Sequence, residues 1–200
     1  MPHLRRPKVT RHTPVSITMR VRKDIRRLRA QKQYREIRRA LHFVNQRDGF
    51  RVCEFSIQGN HYHLIVEAKT RLALSRGMQA LNIRVAKNLN RIADRRKGPV
   101  FADRYHGRII KSPQHARRTL AYVLLNGRRH RENWQGGADW LDPCSSAPTF
   151  GGWTVPPRQR ARPPDDLNVV MPAQCWLLTQ GWKKWGSIDP RQVPGPDTGW

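Results

Sequence analysis

Residues 14 to 22 alternate apolar and polar side chains, with Val15, Ile17, Met19 and Val21 on one side and Ser16, Thr18 and Arg20 on the other. A period of two marks a strand with one buried face. Over 31 to 47 the period lengthens, and Tyr34, Ile37, Leu41 and Val44 form one stripe of a predicted helix. Alternation returns from 51 to 58, where Cys53, Phe55 and Ile57 oppose Glu54, Ser56 and Gln58. Gly59 and Asn60 suit a tight turn into a further strand over 61 to 67. A longer helix is predicted over about 71 to 94, its stripe being Leu74, Met78, Leu81, Val85, Leu89 and Ile92. Residues 99 to 111 read as a strand with a turn. Ser112 then caps a helix with Pro113 at its first position, expected to run to about Arg131.

The resulting order, β-α-β-β-α-β-α, predicts an α+β fold: a ferredoxin-like antiparallel sheet with its two long helices on one face. Alternation assigns Tyr62, Leu64 and Val66 to that covered face, with Val15, Ile17, Phe55 and Ile57. His61 and His63 then fall on the opposite, polar face with Ser16, Thr18, Ser56 and Gln58.

Charge changes the picture next. The chain of 200 residues carries a formal net charge of +25, far beyond what solubility requires, which points to a polyanionic partner such as nucleic acid. The charge is also localised. Lys and Arg number 33 against 8 Asp and Glu through residue 132, and 6 against 6 thereafter. All seven tryptophans and ten of the fifteen prolines lie in the neutral part. The division expected is a flexible basic leader over 1–12, a polyanion-binding domain over 13–132, and a Pro/Trp-rich extension over 133–200. The extension is expected to pack back on the domain through its tryptophans, with a short helix around Gln174 to Trp185. Cys53, Cys144 and Cys175 are odd in number and lack CxxC spacing, as reduced thiols of a cytoplasmic protein would. No apolar run is long enough to span a membrane, and the basic N-terminus is followed by no signal-like apolar core.

Candidate chemistry gathers at two places. His61 and His63, two apart on a strand, present two imidazoles on one sheet face, half of a metal site; two exposed histidines at a strand end would show the same pattern. On the last helix, His115, Thr119, Tyr122 and Asn126 form a stripe opposite Ala116, Leu120, Val123, Leu124 and Gly127. Tyr122 and Asn126 are four apart and share a helix face. A tyrosine buried for packing alone would sit among the leucines, and this one does not.

The His61-Tyr62-His63 triplet followed by Tyr122-Val-Leu-Leu-Asn126 resembles the HUH single-strand tyrosine transposases, and within them the REP-associated group. The segment Gly98-Pro-Val-Phe-Ala-Asp-Arg-Tyr-His-Gly-Arg108 and the run Arg76-Gly77-Met78-Gln79 strengthen the likeness, which covers residues 10 to 132. The middle residue of such triplets is usually aliphatic, and here it is Tyr62. The resemblance implies a divalent ion, Mg²⁺ or Mn²⁺, held by His61, His63 and Asn126. It implies Tyr122 as the nucleophile that cleaves a DNA strand, forming a 5′-phosphotyrosine and releasing a 3′-hydroxyl for later rejoining. It also implies single-stranded or hairpin DNA of REP-like sequence as partner, a monomer or homodimer, and a cytoplasmic protein that is nucleoid-associated when bound to DNA. Arg104, Arg108, Lys111, Arg117, Arg118, Arg128 and Arg129 surround the expected site and are the expected phosphate contacts. Among competing groups, Tyr105 adjoins His106, yet neighbours on a strand point to opposite faces. Tyr34 and Tyr62 read as core. Glu67 shares the histidine face and is a further conceivable ligand. A DNA-hairpin-binding protein of the same fold without chemistry is the main alternative; an origin-nicking initiator or relaxase is disfavoured by the short chain.

Overall fold

In a computed structural model, residues 9–94, 98–130, 137, 140–155 and 165–195 are described. Four strands, β1 (Val15–Arg20), β2 (Phe50–Ile57), β3 (His61–Ala68) and β4 (His106–Ile109), form one sheet in the order β2-β3-β1-β4. Each neighbouring pair is antiparallel. Helices α1 (Gln31–Val44) and α2 (Arg71–Ile92) carry the two apolar stripes read from the sequence. With one sheet face they enclose a core of Ile17, Phe55, Tyr62, Leu64, Leu41, Met78 and Leu81. This is the ferredoxin-like α+β arrangement, and its pairing explains why alternation was so regular: one face is sealed by helices, so a slip of one residue would bury the polar set. Thr70 caps α2 by accepting a hydrogen bond from the Ala73 amide (3.1 Å).

Several details depart from expectation. A bulge between Val52 and Glu54 adds one residue to β2. It sends Cys53 to the opposite side from Phe55 and Ile57, where it joins Ile65 in a second apolar cluster. The face expected to be polar is therefore mixed, and it is covered. Helix α3 (Pro113–Leu124) lies against it, with Ala116, Leu120, Val123 and Leu124 in the same cluster as Ile65. The strand expected over 99 to 111 is confined to β4; before it, Phe101 makes only an isolated bridge to Val21.

Residues after 140 interlock with the sheet by hydrogen bonding more than by tryptophan. The Ile57 amide donates to Cys144 O, the Ser146 amide to Phe55 O and the Met171 amide to Val52 O, which covers the free edge of β2. Arg29 and Asp142 form a two-pronged ion pair (2.8 and 2.7 Å) with both side chains buried. Arg38 pairs with Asp165 (2.6 Å). Of the tryptophans, Trp182 is buried, Trp176 and Trp185 are exposed, and Trp134 and Trp200 lie outside the described residues. The short helix expected near 174 to 185 is two pieces, α5 (Trp176–Thr179) and a 3₁₀ turn over Gly181–Trp185. Of the basic leader, residues 1–8 lie outside the described residues, and Thr10 bridges to Thr70. Among the described residues no helix is long and apolar enough to cross a membrane.

Candidate active site

The site grows from one row of side chains across the sheet. Register pairs His63 with Ser56 on β2 and Thr18 on β1, and Thr18 in turn with His106 on β4. His61 lies one pleat away on the same face, and the two imidazoles meet edge to face at 4.8 Å between centroids. His63 is buried, and burial, helped by His61, His130 and Arg129, pushes its pKa down to about 3. It is therefore neutral at physiological pH and keeps a lone pair.

Hydrogen bonding fixes the tautomer of His61, while at His63 the Thr18 hydroxyl is able to accept from Nδ1–H or donate to Nδ1. His63 Nδ1 lies 3.0 Å from Thr18 Oγ1 and His61 Nδ1 lies 2.8 Å from Asn60 Oδ1. An amide oxygen only accepts, so the His61 Nδ1–H donates to it. His63 Nε2 is buried and has no partner among the described residues. An orphaned buried nitrogen costs free energy unless something fills its coordination, so the arrangement suits a group that accepts electron density from Nε2.

Helix α3 brings the second half. Ser112 caps it, accepting from the His115 amide (3.2 Å), and Pro113 occupies its first position. The helix stops at Leu124; after Leu125, a short α4 (Asn126–Arg129) resumes. The continuous helix expected to Arg131 is thus broken between Tyr122 and Asn126. Asp142 presses on this break: a Cβ at position 127 would collide with its carboxylate, so only glycine fits there. The partly exposed Tyr122 ring packs edge to face on His63 at 5.1 Å, and the Arg129 guanidinium lies 5.8 Å from the Tyr122 ring centre. Asn126 is wholly buried, and among the described residues neither its Oδ1 nor its Nδ2 has a partner. Thr119 Oγ1, on the same stripe, is likewise buried without one among them.

His61, His63 and Tyr122 are brought together, and Asn126 is buried on the short helix that follows. Among the described residues no three of His, Cys, Asp and Glu converge as a metal cluster; the third donor expected is the Asn126 amide. The free atoms at His63 and Asn126 fit a divalent ion in their donor chemistry. His130 was missed by the sequence reading. Its ring lies 5.8 Å from that of His61, and its amide donates to Asn126 O, so the four-residue spacing from Asn126 was the available signal. Glu67 is committed elsewhere: its carboxylate accepts from the Gln174 and Cys175 amides (3.0 and 2.9 Å).

The basic residues divide. Arg104 and Lys111 are exposed, Arg108 is partly buried, and all three line a cleft of about 720 Å³ along β4 with Tyr105. Arg118 is exposed and Arg129 partly so. Two expected phosphate contacts are used otherwise. Arg117 donates to Gly186 O and Ser187 O (both 2.9 Å), and the buried Arg128 donates to Trp140 O (3.0 Å). Neither use was legible without the fold of the extension.

Against known proteins, a family model described as "Transposase IS200 like" matches residues 13–124. A solved structure of a REP-associated tyrosine transposase bound to a REP hairpin is similar at 18% identity, over 73% of this chain and 82% of that one, with a TM-score of 0.55. At that identity the likeness concerns the fold. A candidate transposase from Deinococcus radiodurans is similar at 13% identity, over 66% of this chain and 97% of that one, with a TM-score of 0.43. No curated protein matches.

Proposed function

The chain belongs to the family of IS200-like transposases, and from that premise we propose that it cleaves and rejoins single-stranded DNA, next to a REP-like hairpin, with Tyr122 as nucleophile. The observation that carries this reading is the contact of Tyr122 with His63 (5.1 Å), which joins the only tyrosine of α3 to the buried imidazole. Recognition of a hairpin rests on the similar structure, which holds one.

In this reading the Tyr122 phenolic oxygen attacks a backbone phosphorus. The new O–P bond replaces the bond to the 3′ oxygen, which leaves as a hydroxyl after gaining a proton, and the 5′ phosphate stays on the enzyme. An ordinary phenol ionises near pH ~10, so only about 0.1% is reactive at neutrality and the site must favour the anion. The Arg129 guanidinium beside the ring provides positive charge for both phenolate and phosphate. His61, His63 and Asn126 would hold a divalent ion, Mg²⁺ or Mn²⁺ by family likeness, through the two imidazole Nε2 atoms and the amide. When bound, that ion polarises the scissile phosphate and eases departure of the 3′ oxygen. Asn60 holds His61 in the ligating tautomer, and the Thr18 hydroxyl is compatible with the same tautomer at His63. Arg104, Arg108, Lys111 and Arg118 would meet phosphates outside the reacting bond. Because the phosphotyrosine keeps the energy of the broken ester, a 3′-hydroxyl can reseal it without ATP.

The test is covalent trapping. Wild type and Tyr122→Phe are incubated with Mn²⁺ and end-labelled single-stranded DNA carrying a REP-like hairpin and its flanks, then run on denaturing gels. A protein–DNA adduct lost with EDTA and with the substitution is expected. Binding without an adduct in Mn²⁺ or Mg²⁺ would instead make the chain a hairpin-binding protein.

A further inference from the structure

Two of the five tryptophans among the described residues stand out on the surface of the extension. Trp176 and Trp185 are 50% and 54% exposed, although the segment that carries them is anchored at several points. Glu67 accepts hydrogen bonds from the amides of Gln174 and Cys175, which holds the start of α5. Leu177, Leu178 and Trp182 are buried in the second apolar cluster, and Trp182 Nε1 donates to Leu178 O (3.0 Å). Arg117 of α3 grips the carbonyls of Gly186 and Ser187 (both 2.9 Å). Trp176 itself lies across Gly181, where an added Cβ would press on its ring. These indoles are exposed on a rigid scaffold, not on a floppy tail.

Their surroundings are cationic. The Lys184 ammonium sits 5.2 Å from the Trp176 ring centre, Lys183 and Lys184 are exposed, and Arg118 is exposed on the adjoining α3. From Leu167 to Ile188 the chain contains no Asp or Glu. A second copy of this chain would bring lysine against lysine in a molecule of net charge +25, whereas a polyanion with accessible π-faces satisfies both features. Base pairs in a duplex hide those faces; unpaired bases offer them.

We propose that Trp176 and Trp185, with Lys183 and Lys184, form a stacking platform for unpaired bases of single-stranded nucleic acid. The platform shares no residue with the histidine–tyrosine site and lies on the segment that packs against α3, the helix that carries Tyr122. The partner rests on the reading of the chain as an enzyme of single-stranded DNA. The indoles stack on bases and the ammonium groups meet the intervening phosphates, with little ordering cost because the platform is already held. It serves every sequence alike, since each base has a π-face.

Fluorescence anisotropy with a labelled oligo-dT strand and a blunt duplex of equal length tests this in Trp176→Ala, Trp185→Ala, the double variant, and the Trp→Phe counterparts. Each alanine is expected to weaken single-strand binding by roughly fivefold or more, the phenylalanines less, with duplex affinity unchanged. Wild-type tryptophan emission should be quenched by oligo-dT, and less so in the double variant. Equal single-strand affinity in wild type and double variant overturns the proposal. So does an equal loss for strand and duplex, or loss of self-association in place of DNA binding. The Tyr122 adduct, read at saturating DNA, should persist in the double variant. Its absence from wild type would sink the strand-cleavage reading while leaving the stacking result readable.

Discussion

Thr18 Oγ1 lies 3.0 Å from His63 Nδ1, across the β1–β3 ladder at a directly paired position. When the hydroxyl accepts from Nδ1–H, the lone pair is left on Nε2, which is buried and has no partner among the described residues. Replacing Thr18 by Val keeps the shape and removes the acceptor. Mn²⁺ affinity of Thr18→Val, measured by calorimetry or by electron paramagnetic resonance of free Mn²⁺, should fall by about 10- to 100-fold. Thr18→Ser should recover most of it. An unchanged affinity would mean that the tautomer is set by something else.

Glu67 shares the strand face of the histidines but is spent on the Gln174 and Cys175 amides, just ahead of α5. Glu67→Gln should therefore lower the melting temperature, since a charged acceptor of two backbone amides is worth ~1.5–3 kcal/mol per bond. Metal affinity should hardly change. The reverse result would return Glu67 to the list of ligands.

Asp142 is paired with Arg29 deep in the protein and abuts Gly127. Removing one partner of such a pair leaves a charge without compensation, so Asp142→Ala should cost roughly 3–5 kcal/mol in urea unfolding. Gly127→Ala should destabilise too, because the new methyl group meets the carboxylate. If both unfold at the wild-type urea midpoint, the extension does not brace α4.

Arg118 and Arg128 separate a surface cation from a structural one. Arg118→Ala should reduce the slope of log affinity against log salt by about 0.7, the value for one single-strand phosphate. Arg128→Ala should lower stability, through loss of its bond to Trp140 O, and leave the slope alone.

Burial pushes the pKa of Glu54 up from 4.5 to about 8, against a smaller lowering by Ser146. The folded protein then holds a proton that the unfolded chain releases. Stability from this group is complete below pH 4.5, declines as pH rises, and is lost above about 8. Melting temperatures of wild type relative to Glu54→Gln should therefore fall steadily between pH 5 and 8. A constant difference would show that Glu54 is ionised in the fold.

Much of the fold was written in local periodicity. The strict alternation of Val15, Ile17 and Met19, and of Tyr62, Leu64 and Val66, encodes a sheet whose one face is sealed by helices. The stripes of α1 and α2 encode the helices that seal it. The same alternation put His61 and His63 on one face, whereas the four-residue spacing of Tyr122 to Asn126 promised one continuous helix face that the break at Leu125 interrupts. What escaped the sequence depended on contacts between distant segments. The bulge at Cys53 changes faces within a strand, and no period announces it. Arg117 and Arg128 look like any surface arginines until carbonyls of the extension close on them. His130 reaches His61, and Tyr122 reaches His63, only because α3 is clamped between the sheet and the segment from Cys175 to Ile188. Local pattern determines which face a side chain takes, because that is a matter of backbone period. Which side chains meet is decided by tertiary packing, because burial and hydrogen-bond satisfaction are settled among residues far apart in the chain.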